Sequence, residues 1–270
     1  MIRMKGKYIT AREIDGRQGI KTPHEHELEA IGKAKLNIFL ENKYRRIKII
    51  VENNLQGVVE NINFNETYTL SFEFFPEVKA HILFFNYEDE EDEALGGSEL
   101  KFLFSGERVQ WVPSEDLISL LDAHLDYLEM LLSEEQENHP IPHEKTELLK
   151  TSIQQRTEPF TYLKIDHLSD LATFVGGRIQ QNTSSWQLSK TFLSGIDVIA
   201  SYNIKTKSLD VFYEGESKTK INNYLRDQLG IFLLNHCLRF LAITFPEVKK
   251  LKIVKQTFSY SYLKSQYENS

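Results

Sequence analysis

The chain has 270 residues, a net charge of −7, 41% hydrophobic and 26% charged residues, proportions that exclude disordered and fibrous classes. Its single cysteine, Cys237, excludes an internal disulfide and a multi-cysteine zinc site and fits a reducing, cytoplasmic setting. The most apolar run, 230–245, is broken by Asn235, His236 and Arg239 and is shorter than the ~20 residues of a membrane span, while the opening MIRMKGKYITAREIDG lacks the apolar core of a signal peptide.

Residues 1–33 read as an N-terminal arm. In HEHELE, His24 and His26 stand at i, i+2, whereas a helical zinc pair needs i, i+4, so a solvated arm is expected there. Residues 34–112 read as an acidic antiparallel β module. The runs KLNIFLE, RRIKIIVEN, ETYTLSFEFF, VKAHILFFNYE, ELKFLFSG and ERVQWV are rich in aromatic and β-branched residues, the composition of strands. The acidic run EDEEDE at 88–93 lacks the ligand spacing of a calcium loop and reads as a solvated hairpin tip. After Pro113 a helix is expected, with Ser114 as its N-cap and Leu117, Leu121, Leu125, Leu128 and Leu132 as one apolar stripe. It opens a helical connector, 113–158, that includes the polar, proline-bearing SEEQENHPIPHEK.

Residues 159–270 read as an α/β domain. HLSDLATFV is a short helix closed by Gly176-Gly177, one or two strands cross 178–193, and GIDVIASYN and SLDVFYEGE form two more around the turn IKTK. A long helix covers about 219–244 before Pro246, and KKLKIVKQTF is expected as a last strand. The overall class is α+β. Charge divides along the same line: residues 1–159 carry 18 Lys+Arg against 30 Asp+Glu, and 160–270 carry 14 against 9. The basic half is the one suited to a polyanion.

The acid-x-lysine triplet occurs five times, so alone it identifies nothing. Only Glu216-Ser217-Lys218 is expected to end a strand, lead into a long helix, and follow a strand that starts with an acid, Asp197. Strand residues at i and i+2 share a face, which would project Glu216 and Lys218 together. Asp197 on the neighbouring strand would join them. Two carboxylates offer hard oxygen ligands to Mg²⁺ or Mn²⁺, and a lysine supplies a point charge for a phosphate or an attacking water.

The GID strand start, the EGESK strand end and the helix–strand–strand–strand–helix–strand order over 160–270 resemble the PD-(D/E)XK nuclease superfamily. The resemblance implies a restriction-endonuclease-like αβββαβ core, with Asp197 and Glu216 as metal ligands, Lys218 as the catalytic lysine and Asp170 as an added acid from the first helix. The chain departs from the family pattern in having no proline before Asp197 and in the long separation of Asp197 from Glu216. Lys190, Lys220, Asn222, Asn223, Arg226 and Gln228 are candidates for contact with a nucleic-acid backbone.

The expected function is metal-dependent phosphodiester hydrolysis, with DNA as substrate, inside a larger system such as defence or repair. The acidic module would take a protein partner or mediate self-association. The alternative is a non-catalytic interaction protein with a degenerate nuclease-like domain. His236 and Cys237 read as core residues of the apolar helix. Tyr260, Tyr262 and Tyr267 beside Lys264 could stack on bases or belong to an edge strand with a frayed tail.

Overall fold

A computed structural model describes residues 8–17, 21–87, 97–133, 144–218 and 220–268. The run EDEEDE and residues 134–143 of the connector lie outside the described residues. The fold is α+β, with two four-stranded antiparallel sheets. The chain forms two compact units: residues up to Gln136 together with those from Ser259, and Glu137–Phe258.

The first unit opens with α1 (Ala11–Ile14), α2 (Pro23–Glu41) and α3 (Tyr44–Asn54). The expectation of an arm to residue 33 and of strands in KLNIFLE and RRIKIIVEN is corrected here, since these segments are helical. For α2 the reason is local. The Thr22 hydroxyl accepts from the Glu25 N–H, the Glu25 carboxylate accepts from the Thr22 N–H at 2.9 Å, and Pro23 occupies the first turn, a capping box that starts a helix firmly. Arg12 locks Glu25 from outside with a 2.9 Å ion pair. His24 is no free arm residue: its Nδ1 lies 3.0 Å from Asp15 and 2.7 Å from the Ser114 hydroxyl.

The strands β1 (Val58–Glu60), β2 (Tyr68–Phe75), β3 (Val78–Phe85) and β4 (Glu99–Ser105) follow as a meander. One face, with Leu70, Phe72, Phe74, Ala80, Ile82, Phe84, Phe102 and Phe104, is buried, and α2 packs on β4. The expected strand at ERVQWV is instead a 3₁₀ turn, Val109–Trp111. The helix α4 (Ser114–Leu132) carries the predicted leucine stripe, every member of it buried. Ser114 is not its N-cap: Pro113 holds that position and the Ser114 hydroxyl turns to Asp15 and His24. From α4, His124 packs against Phe72 and Phe74, ring centroids 5.0 Å from each. On the other sheet face, His81 is buried between two hydroxyls, Ser71 Oγ at 2.8 Å from Nδ1 and Ser105 Oγ at 2.8 Å from Nε2. The chain returns at its end to complete this unit. The Ser259 N–H donates to the Trp111 carbonyl and the Ser261 hydroxyl donates to the Ile14 carbonyl at 2.7 Å, leading into α9 (Tyr260–Glu268). The tail at Tyr260 and Tyr262 is therefore helical, not an edge strand.

The second unit runs α5 (Glu147–Phe160), α6 (Leu168–Val175), β5 (Arg178–Gln181), β6 (Ser185–Leu193), β7 (Ile196–Asn203), β8 (Ser208–Glu214) and α7 (Asn223–Thr244). Gly176 ends α6 in the left-handed region at φ +69°, as the glycine pair predicts. The sheet is a four-strand meander in chain order. Its buried face, with Trp186, Leu188, Val198, Ala200, Tyr202, Val211 and Tyr213, lies on the side of the helices α5 and α7. The last strand expected at KKLKIVKQTF is absent. Residues Val248–Lys250 form a 3₁₀ turn and Lys252–Lys255 a short helix, α8. Val248 and Val254, then the adjacent Thr257 and Phe258, are buried, a spacing that suits a compact coil against α7 and not the alternation of a strand.

Candidate functional site

The β7–β8 hairpin is set by its turn. Asn203 Oδ1 accepts from the N–H groups of Lys205 and Thr206, each at 3.0 Å, and Lys207 takes φ +53°, a side-chain-nucleated turn. With Asn203 paired to Ser208, the register carries up the ladder until Asp197 stands opposite Glu214. On the other side of β7, Asp197 stands opposite Thr191 of β6. Thr191, Asp197 and Glu214 therefore form one row across three strands, on the face away from the helices.

The Asp197 carboxylate is already engaged. Arg178 Nη2 donates to Oδ2 at 3.1 Å, and the Thr191 hydroxyl donates to Oδ1. Arg178 reaches in from β5 with its side chain 74% exposed, while that of Asp197 is 30% exposed. One oxygen thus serves a guanidinium and the other a hydroxyl.

Glu216 and Lys218 do not share a strand. β8 ends at Glu214, and Gly215 turns at φ +105° so close to Gly195 that an added Cβ would lie 2.2 Å from the Gly195 carbonyl oxygen. The Ser217 N–H then donates to that carbonyl at 2.9 Å. Glu216 sits exposed in this turn and Lys218 is half-exposed, so the same-face argument made for a strand does not apply to them. The backbone carbonyl of Lys218 accepts from Arg226 Nη1 at 2.9 Å, fastening the turn to the start of α7. Asp170 is exposed in the first turn of α6, a helix that packs on β5 and α7.

The other nucleic-acid candidates divide by burial. Lys190 is buried on the helix-facing side of β6, its Nζ 5.5 Å from the Phe192 ring centroid. Arg226 is fully buried. Asn222 caps α7 by accepting from the Leu225 N–H at 2.8 Å, and Asn223 accepts from Arg226 Nη2. Gln228 is half-buried and Lys220 exposed. Of the six, Lys220 alone offers an exposed cation to a polyanion.

Three features escaped sequence reasoning. Glu214, the residue across from Asp197, was derivable, because the turn IKTK fixes Asn203 opposite Ser208 and counting pairs reaches Asp197 and Glu214. Arg178 and Thr191 come from strands whose register no short motif marks. The third is a buried polar knot beside α7. Asp227, with no exposed surface, accepts from the Thr146 N–H at 2.5 Å and from the Tyr213 hydroxyl at 3.3 Å. Burial, with the Asp227 charge second, pushes the Tyr213 hydroxyl well above the ordinary phenol range. Burial also lowers the pKa of Arg226.

Among the described residues, no three His, Cys, Asp or Glu side chains are grouped to hold a metal ion. Nor is any helix among them long and apolar enough to cross a membrane. Comparison with protein-family models, curated proteins and solved structures matches none of them to this chain.

Proposed function

We propose that the chain is a non-catalytic interaction protein whose second unit keeps part of a PD-(D/E)XK-like order of elements around a degenerate centre. On this reading it binds a polyanion, DNA first among them, in a cytoplasmic setting, and its acidic first unit takes a protein partner or a second copy of the chain. The observation that carries the reading is the state of Asp197. Both of its oxygens serve protein donors, and one of these is the Arg178 guanidinium, whose positive charge beside the carboxylate opposes Mg²⁺ or Mn²⁺ there. The residues as arranged do not fit that ion, with Glu216 beyond the strand end and Lys218 in a turn. The absent last strand and the buried Lys190 and Arg226 support the same reading.

Metal-dependent DNA hydrolysis is the second reading, favoured by one observation: Asp197 and Glu214 are directly opposed on one open sheet face. The experiment that separates the two incubates end-labelled duplex and single-stranded DNA with the full chain and Mg²⁺ or Mn²⁺. We expect no cleavage above that of Asp197→Ala. Metal-dependent cleavage that disappears in Asp197→Ala, Glu214→Ala and Glu216→Ala overturns the interaction reading.

A further inference from the structure

The sequence KKLKIVK, residues 249–255, is not absorbed by anything above. It holds four lysines in seven positions, the densest cationic stretch of the basic half. The fold turns it into a surface. Val248 and Val254 are buried and anchor the 3₁₀ turn and α8, which pack against α7. Lys250, Lys252 and Lys255 are exposed and Lys249 is half-exposed. The segment is also held from behind. The buried Arg239 donates from Nε to the Thr257 carbonyl at 2.6 Å, and the Thr257 hydroxyl donates to the Val254 carbonyl at 2.8 Å. A fixed scaffold of this kind presents its charges without a large ordering cost.

Seven other lysines of the chain are already paired with acids. Lys21, Lys35, Lys48, Lys79, Lys101, Lys145 and Lys150 each stand within ion-pair distance of a carboxylate. Among the described residues none pairs in this way with Lys250, Lys252 or Lys255. At roughly 1.5–2 Å of rise per residue, the four lysines spread over about 10 Å, comparable with the rise of about three nucleotides of one DNA strand at ~3.4 Å each.

We propose that Lys249, Lys250, Lys252 and Lys255 form a docking surface for the phosphate backbone of duplex nucleic acid, read through charge and not through base edges. The inference rests on the interaction reading given above and names its contact surface. An anionic membrane is the less suitable partner, because the apolar side chains of the segment turn inward or are half-covered, and a membrane-seated helix presents an apolar face to the lipid.

The test is fluorescence anisotropy of a short labelled DNA duplex titrated with the full chain, in EDTA so that no cleavage can contribute, over a salt series. Four lysine–phosphate contacts predict a slope of log K against log salt near −3.6, at ~0.9 per contact. Between about 50 and 200 mM salt, affinity then falls on the order of 100-fold. The combined variant K249Q, K250Q, K252Q, K255Q removes the charges and keeps good helix formers. Its expected result is a flattened slope and at least tenfold weaker binding, with unchanged circular dichroism. K205E with K207E, in the β7–β8 turn, is the control and should leave the slope as it is. Any of three results overturns the proposal: no binding by the native chain at low salt, an unchanged slope in the glutamine variant, or tighter binding to phosphatidylserine vesicles than to DNA. Cleavage in the separate Mg²⁺ assay would instead overturn the non-catalytic reading and leave this surface standing.

Discussion

His81 should make the first unit sensitive to mild acid. Burial, with Lys79 as a lesser cause, lowers its pKa from 6.5 to about 4. The folded state therefore holds the imidazole neutral where the unfolded chain would protonate it. Stability is fully present above pH 6.5 and is lost as the pH falls toward 4, because the unfolded state binds the extra proton. The separation of the two pKa values, at 1.36 kcal/mol per unit, amounts to about 3 kcal/mol in full, of which about 2 kcal/mol is gone by pH 5. That is a large part of the 5–15 kcal/mol that holds a typical domain together. The two tryptophans make the assay selective, since Trp111 lies in the first unit and Trp186 in the second. In a Trp186→Phe background, urea unfolding followed by Trp111 emission reads the first unit alone. Carboxylates also titrate in this range, so the quantity of interest is a difference: stability lost between pH 7 and pH 5 with His81 present, minus that lost in His81→Gln. We expect about 2 kcal/mol for that difference. Equal pH dependence in the two proteins would refute the assignment of a neutral, buried imidazole.

Two further perturbations probe the packing on which each unit depends. Leu121→Ala, at a position of α4 with no exposed surface, should cost about 2–5 kcal/mol in urea unfolding read by Trp111. Gly230→Ala should destabilise the second unit, because an added Cβ would lie 2.7 Å from the Tyr213 hydroxyl and 2.9 Å from Val211 Cγ1. Overpacking of this kind costs about 1–3 kcal/mol. Its expected sign is an earlier Trp186 transition, with that of Trp111 in place.

The fold was legible where pattern and burial agree. β2, β3 and β4 are long, aromatic and bounded by turns, and α4 repeats leucine at helical spacing, so their types could be read directly. α2 and α3 were misread because KLNIFLE and RRIKIIVEN hold apolar and β-branched residues that look like strand. For α2 the overriding signal was present in Thr22-Pro23-His24-Glu25, whose capping box and first-turn proline start a helix before that composition is met. The same bias toward β-branched residues made a strand of Lys252–Lys255, where Ile253 and Val254 sit in a single helical turn. At the candidate hairpin the motif joins Asp197 to Glu216, whereas the register sets Asp197 opposite Glu214. Glu216 looked aligned with Asp197 only while β8 was allowed to run through Gly215, and the positive φ of that glycine ends the strand two residues earlier. The knot of Tyr213, Asp227 and Thr146 was not legible, because its partners are 67 to 81 positions apart in the sequence on one side and meet only through packing.

The return of the chain at Ser259 to the first unit inverts the order in which the two units can be finished. During synthesis the second unit, Glu137–Phe258, has all of its residues before the first does, although the first was begun earlier. Until Ser259 and Ser261 emerge, the Trp111 and Ile14 carbonyls lack the donors that they hold in the finished fold. The nascent first unit thus waits on residues made after the second unit is complete, and a nick after Phe258 would be felt most around Trp111 and Ile14.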